Sequence, residues 1–160
     1  DEITEDDANY KMNPPLRSAA DVEAMVDGLA DGTMEAISTD HAPHAEEEKK
    51  QSIAKAPFGI VGSETAYALS VTHLVKTGKL TPLQLVEKMS TNPCRILSVP
   101  GGTLSVGAPA DITIADMDSE YVIDKNTFLS KGKNTPFDGA KVNGRVYYTI
   151  VGGNIVYQYE

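Results

Sequence analysis

Apolar residues recur every three or four positions in three stretches of the first hundred residues, which is the spacing of an amphipathic helix. In the first stretch Ser18 is suited to cap a helix and Gly32 to end it, so the pattern predicts a helix over residues 19–31. The second stretch predicts a helix over residues 63–76 and the third a helix over residues 82–91. The apolar positions that predict the first of these helices are Val22, Met25, Val26 and Leu29.

The start of the third helix has the strongest local signal. Thr81 is a good N-cap, Pro82 suits the first helical position, and Gln84 lies three residues after the cap, where it completes a capping box. The Asn-Pro pair at residues 92 and 93 is expected to end this helix, because proline lacks the N–H that the helical ladder needs. One further helical turn is expected over residues 94–97.

Strand patterns differ between the two parts of the chain. The short apolar run at residues 34–38 predicts a buried strand, whereas the last third alternates apolar and polar residues at 110–116, 145–151 and 154–157. Gly152 and Gly153 between the last two runs predict a two-residue hairpin turn. We therefore expect two domains, an α/β domain over residues 1–98 and a β domain over residues 99–160.

Composition narrows the class of protein. The formal charge is -9, and a nucleic-acid or anionic-membrane surface would instead need a basic face. No apolar run approaches the ~18 residues of a membrane span. The lone Cys94 offers no disulfide framework, which favours a reducing cytoplasm. These observations predict a cytoplasmic protein without nucleic-acid or membrane partners.

The segment that could carry chemistry is TDHAPH at residues 39–44, directly after the predicted strand at 34–38. A carboxylate at the end of a barrel strand can bind a divalent metal or carry a proton, so Asp40 is a candidate for both roles. Catalytic zinc usually has about three protein ligands, and the chain contains only three histidines. An isolated Asp at this position could equally cap a turn, and the local pattern leaves both interpretations open.

Other polar positions allow a functional and a structural interpretation. His41 and His44 flank Pro43, so we expect one ring to face a pocket and the other, His41, to support the loop. Asn13 lies before two prolines, either as an ordinary turn residue or with its amide held toward a ligand. At Phe58-Gly59 the glycine would let backbone N–H groups approach a ligand. The charged run at residues 46–50 predicts a solvated, mobile loop, with a lid as the alternative.

Four segments together resemble successive parts of bacterial type I dihydroorotases, which are zinc enzymes of the cyclic amidohydrolase family. They occur in the family's order and extend over essentially the whole chain. The segments are KMNPPLR (11–17), TDHAPH (39–44), APFGIVGSETA (56–66) and SKGKNTPF (130–137).

The resemblance implies a fold and an activity. The fold would be the C-terminal part of a TIM-like (β/α)8 barrel that holds two Zn2+ ions in the complete enzyme, followed by part of a small β-sandwich domain. The activity would be the reversible cyclisation of N-carbamoyl-L-aspartate to (S)-dihydroorotate in pyrimidine biosynthesis. The upstream histidines and bridging carboxylate of the family's metal site are not in this sequence. We therefore expect the 160-residue chain alone to bind zinc weakly and to be inactive.

By the same resemblance, Asp40 would be a zinc ligand and the catalytic proton-transferring residue. His44 would bind the substrate carboxylate, and Asn13 would bind a neighbouring group of the substrate. Phe58 and Gly59 would present backbone groups to the pyrimidine ring.

Two alternatives remain. One is a related cyclic amidohydrolase, namely a hydantoinase, dihydropyrimidinase or allantoinase. The other is a non-catalytic dihydroorotase-like subunit that scaffolds aspartate transcarbamoylase. Candidate protein partners are accordingly a second copy of the chain, in a homodimer, and aspartate transcarbamoylase.

Overall fold

Helical segments and one antiparallel sheet make up the computed structural model, which describes Ile3 and residues 5–159. The helices are α1 (Ala19–Asp31), α2 (Glu46–Lys49), α3 (Ala66–Ser70), α4 (Pro82–Val86) and α5 (Asn92–Leu97). Two π-helical segments, Val71–Val75 and Glu87–Thr91, follow α3 and α4, and 3-10 turns lie at Ala8–Tyr10 and Lys125–Thr127. The strands are β1 (Ile112–Val122), β2 (Lys141–Val151) and β3 (Asn154–Gln158).

The caps predicted for two helices are confirmed. Ser18 and Asp21 exchange hydrogen bonds at the start of α1, with the Asp21 N–H donating to Ser18 Oγ at 3.3 Å. At α4 the Gln84 N–H donates to Thr81 Oγ1 at 3.2 Å, and the Thr81 N–H donates to Gln84 Oε1 at 2.8 Å. These side chains satisfy backbone groups that would otherwise have no partner in the first turn.

The predicted end of the third helix is wrong. The chain remains helical through the Asn-Pro pair to Leu97, and the backbone widens to a π-helix over Glu87–Thr91 just before it. Pro93 lies in the first turn of α5, directly after the π-helical segment, where the helical hydrogen bonds are already rearranged. The helix therefore ends only at Ser98, which has a left-handed conformation with φ 54°.

The three strands form one antiparallel sheet in the order β1-β2-β3. The predicted hairpin is confirmed, because Val151 pairs with Asn154 across the two glycines, whose φ angles are 55° and 80°. The register shifts by one residue between Thr149 and Ile150, so β3 has an extra residue there. Gly144 in β2 has φ 98°, and a Cβ built on it would lie 2.9 Å from the Val71 side chain.

The strand predicted at residues 34–38 is not formed among the described residues, and residues 11–13 are also irregular. A strand needs a neighbouring backbone to form its ladder, whereas here the polar groups of 34–38 find helical partners. The Ile37 N–H donates to the Lys88 carbonyl at 3.0 Å, and Lys88 Nζ donates to the Met34 carbonyl at 2.7 Å. The predicted inner face of α1 is also exposed, with Val22 53% and Met25 52% accessible.

Contacts among the described residues divide the chain into two compact units. The first comprises described residues within Asp1–Met25, Thr39–Tyr67 and Val122–Lys141, and the second comprises Val26–Ser38, Ala68–Tyr121 and described residues within Val142–Glu160. Val61, Thr65 and Asn134 are among the buried residues of the first unit, and Val71, Leu85 and Val142 are among those of the second. The domain boundary near residue 98 stays a prediction. Each of the two compact units contains residues from both sides of that position.

Membrane insertion through a helix has no support in the described part of the chain. Each of its helices is too short or too polar to cross a bilayer.

Candidate functional site

Asp40 occupies an unusual backbone conformation at the centre of the TDHAPH segment. Its φ is 45°, in the left-handed region that non-glycine residues adopt infrequently and Asp more readily than most. Two residues later the Ala42 N–H donates to the Ile60 carbonyl at 2.9 Å, which ties the segment to residues 58–60. The sharp turn leaves the Asp40 residue exposed.

Four of the five predicted site residues line one open pocket of about 390 Å³ within the first unit. These residues are Asn13, Asp40, Phe58 and Gly59. Asn13 is joined to Pro14 by a cis peptide bond. The structure therefore brings together three segments that are separated by up to 46 positions in the sequence.

His44 lies in a second pocket of about 310 Å³ together with Lys131 and Gly132. Its Nε2 is 2.9 Å from the Phe58 carbonyl oxygen, and since a carbonyl only accepts, Nε2 carries the hydrogen. Its Nδ1 is 3.6 Å from the Glu48 carboxylate. The ring thus bridges the TDHAPH segment to Phe58, which lines the first pocket.

The backbone at Phe58-Gly59 is more fully hydrogen-bonded than the sequence suggested. The Gly59 N–H donates to the Lys11 carbonyl at 2.9 Å, and the Gly59 carbonyl accepts from Lys49 Nζ and Asn134 Nδ2. Gly59 has φ 106°, and a Cβ there would lie 2.5 Å from the Ala42 Cβ, so only glycine fits. Among the described residues, the Phe58 N–H is left without a hydrogen-bond acceptor.

The His41 ring caps the turn at residues 62 and 63. Its Nδ1 accepts from the Gly62 N–H at 3.0 Å and from the Ser63 N–H at 3.2 Å. An unprotonated Nδ1 means that the neutral ring carries its hydrogen on Nε2. This arrangement agrees with the predicted role of His41 in supporting the loop.

Lys49 was not singled out by the sequence, because it lies in a charged run that predicted a solvated loop. It is only 9% exposed, and its Nζ donates to the Pro57 carbonyl at 3.1 Å and the Gly59 carbonyl at 3.0 Å. Burial lowers the pKa of Lys49, the Asp7 carboxylate acts in the opposite direction, and the Lys11 charge lowers it further. The run therefore contains a short helix with one inward-facing cation rather than five equivalent solvated charges.

Asn134 was also missed, although it lies in one of the four segments that carry the resemblance. It is 6% exposed, and its side chain contacts both the TDHAPH segment and Gly59. An asparagine in a polar stretch gives no sign of burial, so periodicity could not have identified it.

The described residues do not supply a metal site of their own. No group of three or more His, Cys, Asp or Glu side chains among them is arranged to hold an ion. Asp40 is the one predicted metal ligand in the chain, and a single carboxylate falls short of the three protein ligands typical of catalytic zinc.

Comparison with known proteins places the chain in a family. The sequence profile of the "Amidohydrolase family" matches residues 8–156. The chain belongs to the amidohydrolase family. The profile covers the Asp40 pocket, β1, β2 and the first three residues of β3.

Curated relatives of this amidohydrolase chain are bacterial dihydroorotases. The chain is 57% identical over 152 residues to the dihydroorotase of Bacillus licheniformis and 54% identical over 152 residues to that of Bacillus subtilis. In both cases the match covers 95% of this chain and 36% of the relative. The chain thus spans about a third of the length of the curated relatives it matches.

Solved structures similar to this amidohydrolase chain include hydantoinases. The L-hydantoinase (dihydropyrimidinase) from Arthrobacter aurescens superimposes with a TM-score of 0.87 at 34% identity, over 94% of this chain and 35% of that chain. The dihydropyrimidinase from Brevibacillus agri gives a TM-score of 0.87 at 26% identity, over 94% of this chain and 34% of that chain. The mixed helix and strand fold is therefore that of the amidohydrolase relatives.

Proposed function

We propose that this chain is part of a dihydroorotase, which interconverts N-carbamoyl-L-aspartate and (S)-dihydroorotate in pyrimidine biosynthesis. The observation that carries the proposal is the identity of 57% and 54% to two dihydroorotases, against 34% and 26% to two hydantoinase-type structures. The pocket supports it, since it unites Asn13, Asp40, Phe58 and Gly59.

We assign proton transfer to Asp40. In the ring-opening direction, a water oxygen adds to the ring amide carbonyl carbon, the bond from that carbon to the ring nitrogen breaks, and the nitrogen gains a proton. A carboxylate at the pocket wall can take the proton from the attacking water and pass it to the nitrogen. The left-handed turn at Asp40 holds the residue exposed beside the pocket.

Substrate recognition is assigned to the remaining pocket residues. The Asn13 side-chain amide can donate to and accept from a polar group of the substrate, and the free Phe58 N–H can donate to a ring carbonyl. Gly59 is assigned no hydrogen bond to the substrate, because its own N–H and carbonyl already have partners within the chain. Its contribution is the close approach of the chain that a side chain would prevent. His44 would bind the substrate carboxylate if its Nε2 hydrogen turned from the Phe58 carbonyl, which accepts it in this structure, to the substrate.

The family implies a metal-dependent enzyme, and two Zn2+ ions remain our expectation for a complete active site. The residues described here do not fit such a centre by themselves, since Asp40 would be one ligand among several. We therefore derive no step through the metal from this chain.

The finer architecture is also a proposal. Similarity to hydantoinases supports residues 1–98 as the C-terminal part of a TIM-like barrel and residues 99–160 as part of a small β domain. A cytoplasmic location, a homodimer and an interaction with aspartate transcarbamoylase are proposed on the same family resemblance.

A substrate panel on the full-length gene product tests the function. We expect turnover of dihydroorotate and N-carbamoyl-L-aspartate, with little turnover of hydantoin, dihydrouracil or allantoin.

The second candidate is a hydantoinase or dihydropyrimidinase, favoured by the structural matches with TM-scores of 0.87. Preference for hydantoin or dihydrouracil would establish that alternative. A metal-replete protein inactive on every substrate would instead favour the scaffolding subunit.

A further inference from the structure

Asn134 makes four hydrogen bonds that join separate parts of the site. Its Nδ2 donates to the Ala42 carbonyl at 2.9 Å and the Gly59 carbonyl at 3.2 Å, and its Oδ1 accepts from the His44 N–H at 3.0 Å. Its own backbone carbonyl accepts from the Val61 N–H at 3.0 Å. Both hydrogens of the amide are therefore used, and the 6% exposure of the residue leaves little access for water.

The residues that Asn134 binds are those that form the pocket and its edge. Ala42 and Gly59 both line the pocket that contains Asp40, and His44 is the residue proposed to bind the substrate carboxylate. Asn134 lies 90 positions beyond His44 in the sequence, and it is grouped with these residues in the first unit. One buried amide thus connects two walls of the pocket.

The segment around Asn134 is in close contact with the TDHAPH segment. A Cβ built on Gly132 would lie 2.7 Å from the Pro43 Cβ and 2.8 Å from its Cα, so the two backbones approach as closely as glycine allows. Nearby, the Leu129 and Ser130 N–H groups donate to the Glu64 carboxylate at 2.7 and 2.9 Å. These contacts hold residues 129–132 in place, and so they help to fix the position of the Asn134 amide.

We propose that Asn134 is a positioning residue, which sets the spacing between the TDHAPH segment and Gly59 and so the geometry of substrate binding. The proposal rests on the dihydroorotase function proposed above. Asn134 does not line the pocket itself and acts through Ala42, His44 and Gly59. Its loss should weaken substrate binding more than it slows the chemical step, because its side-chain hydrogen bonds go to His44, Ala42 and Gly59 and not to Asp40.

Steady-state kinetics of Asn134→Asp and Asn134→Ala in the full-length gene product test this proposal. The Asp variant keeps an acceptor for the His44 N–H and loses both donors. We expect its KM for dihydroorotate to rise by about tenfold or more, because the two hydrogen bonds that tie the Ala42 and Gly59 carbonyls together are lost. The kcat should fall by less than about threefold. A larger rise in KM is expected for the Ala variant.

The matched control is Asn126→Ala, in the same connecting region. Asn126 is exposed, and its side chain donates from Nδ2 to the neighbouring Asp124 Oδ1 at 2.8 Å. We expect unchanged kinetics for this variant. An unchanged KM in the two Asn134 variants would overturn the proposal, even if kcat fell, because a purely structural role lowers the amount of active enzyme without altering KM. The Ala variant alone decides if the Asp variant does not fold, since its carboxylate would be buried against two carbonyl oxygens.

Hydrogen exchange gives a readout that does not depend on activity. The His44 N–H is bound by the Asn134 side chain, whereas the Val61 N–H is bound by the Asn134 backbone and serves as an internal control. In Asn134→Ala we expect exchange at His44 to accelerate about tenfold or more and exchange at Val61 to stay unchanged. If the wild-type protein does not turn over dihydroorotate, the proposed function fails. The positioning role is then decided by exchange, and unchanged protection at His44 would overturn it.

Discussion

Replacement of Lys49 by methionine tests whether the charged run at residues 46–50 is anchored by a buried cation. Lys49 is 9% exposed, and its Nζ lies 3.1 Å from the Pro57 carbonyl oxygen and 3.0 Å from that of Gly59. Methionine keeps an unbranched apolar chain and removes the ammonium group. The matched control is Lys50→Met, because Lys50 is exposed and its ion pair with Glu46, at 2.7 Å, lies on the surface.

The structure sets the size of the effect. In Lys49→Met the Pro57 carbonyl loses its donor, whereas the Gly59 carbonyl keeps Asn134 Nδ2 at 3.2 Å. One partly buried acceptor is then unpaired, which costs at most about 1–3 kcal/mol. The variant also no longer desolvates an ammonium group, which offsets part of the loss. We expect the free energy of unfolding to fall by about 1–2 kcal/mol, and Lys50→Met to change it little.

The pH dependence gives a second check. Burial lowers the pKa of Lys49 below its ordinary value of 10.5, so between the folded and unfolded pKa values the unfolded chain binds more protons. Stability of the wild type should therefore rise with pH through that window, and the Lys49→Met variant should lack this rise. The stability difference between the two proteins should grow as the pH approaches 10.5 from neutrality.

Urea unfolding of the full-length gene product, followed at neutral pH and at about pH 10, measures these differences. Wild type, Lys49→Met and Lys50→Met are compared under the same conditions. Equal stabilities of the two variants at both pH values would refute the assignment of Lys49 as a buried anchor. A destabilised Lys49→Met variant whose difference from wild type shrinks with rising pH would refute the sign of the pKa shift.

Three further predictions follow from the site and the sheet. Asp40→Asn should lower kcat by about 10²–10⁴-fold with a smaller change in KM, because the amide cannot accept a proton; wild-type kcat in a metal-replete variant would exclude Asp40 as the proton carrier. His44→Ala should mainly raise KM for dihydroorotate, since a hydrogen bond to a charged group contributes about 1.5–3 kcal/mol, and a loss confined to kcat would move His44 to the chemical step. Gly144→Ala should lower the melting temperature more than Gly139→Ala: both glycines have positive φ, yet only at Gly144 would a Cβ meet a neighbour, 2.9 Å away at Val71. Equal melting temperatures would show that the strand moves to accept the methyl group.

Local signals in the sequence were sufficient for several elements. The side-chain caps at Ser18 and Thr81 were predicted correctly, because a capping interaction spans only three residues. The hairpin at Gly152-Gly153 was predicted for the same reason, since two glycines allow the positive φ angles of a tight turn. Asp40 does line a pocket, but the strand whose end it was predicted to follow is not formed among the described residues, and its chemical role stays a prediction.

Other features depended on neighbours that are distant in the sequence. Residues 34–38 have the composition of a strand, yet among the described residues they pair with helical groups such as the Lys88 carbonyl. The burial of Lys49 and Asn134, and the pairing of the Gly59 backbone, could not be read from a local pattern. Periodicity reports which face of an element is apolar, whereas a buried polar group is stable only where the tertiary structure brings it a partner. The sequence by itself therefore determined the caps, the turn and the candidate residues, and the tertiary structure decided which polar groups are paired and which remain free for a ligand.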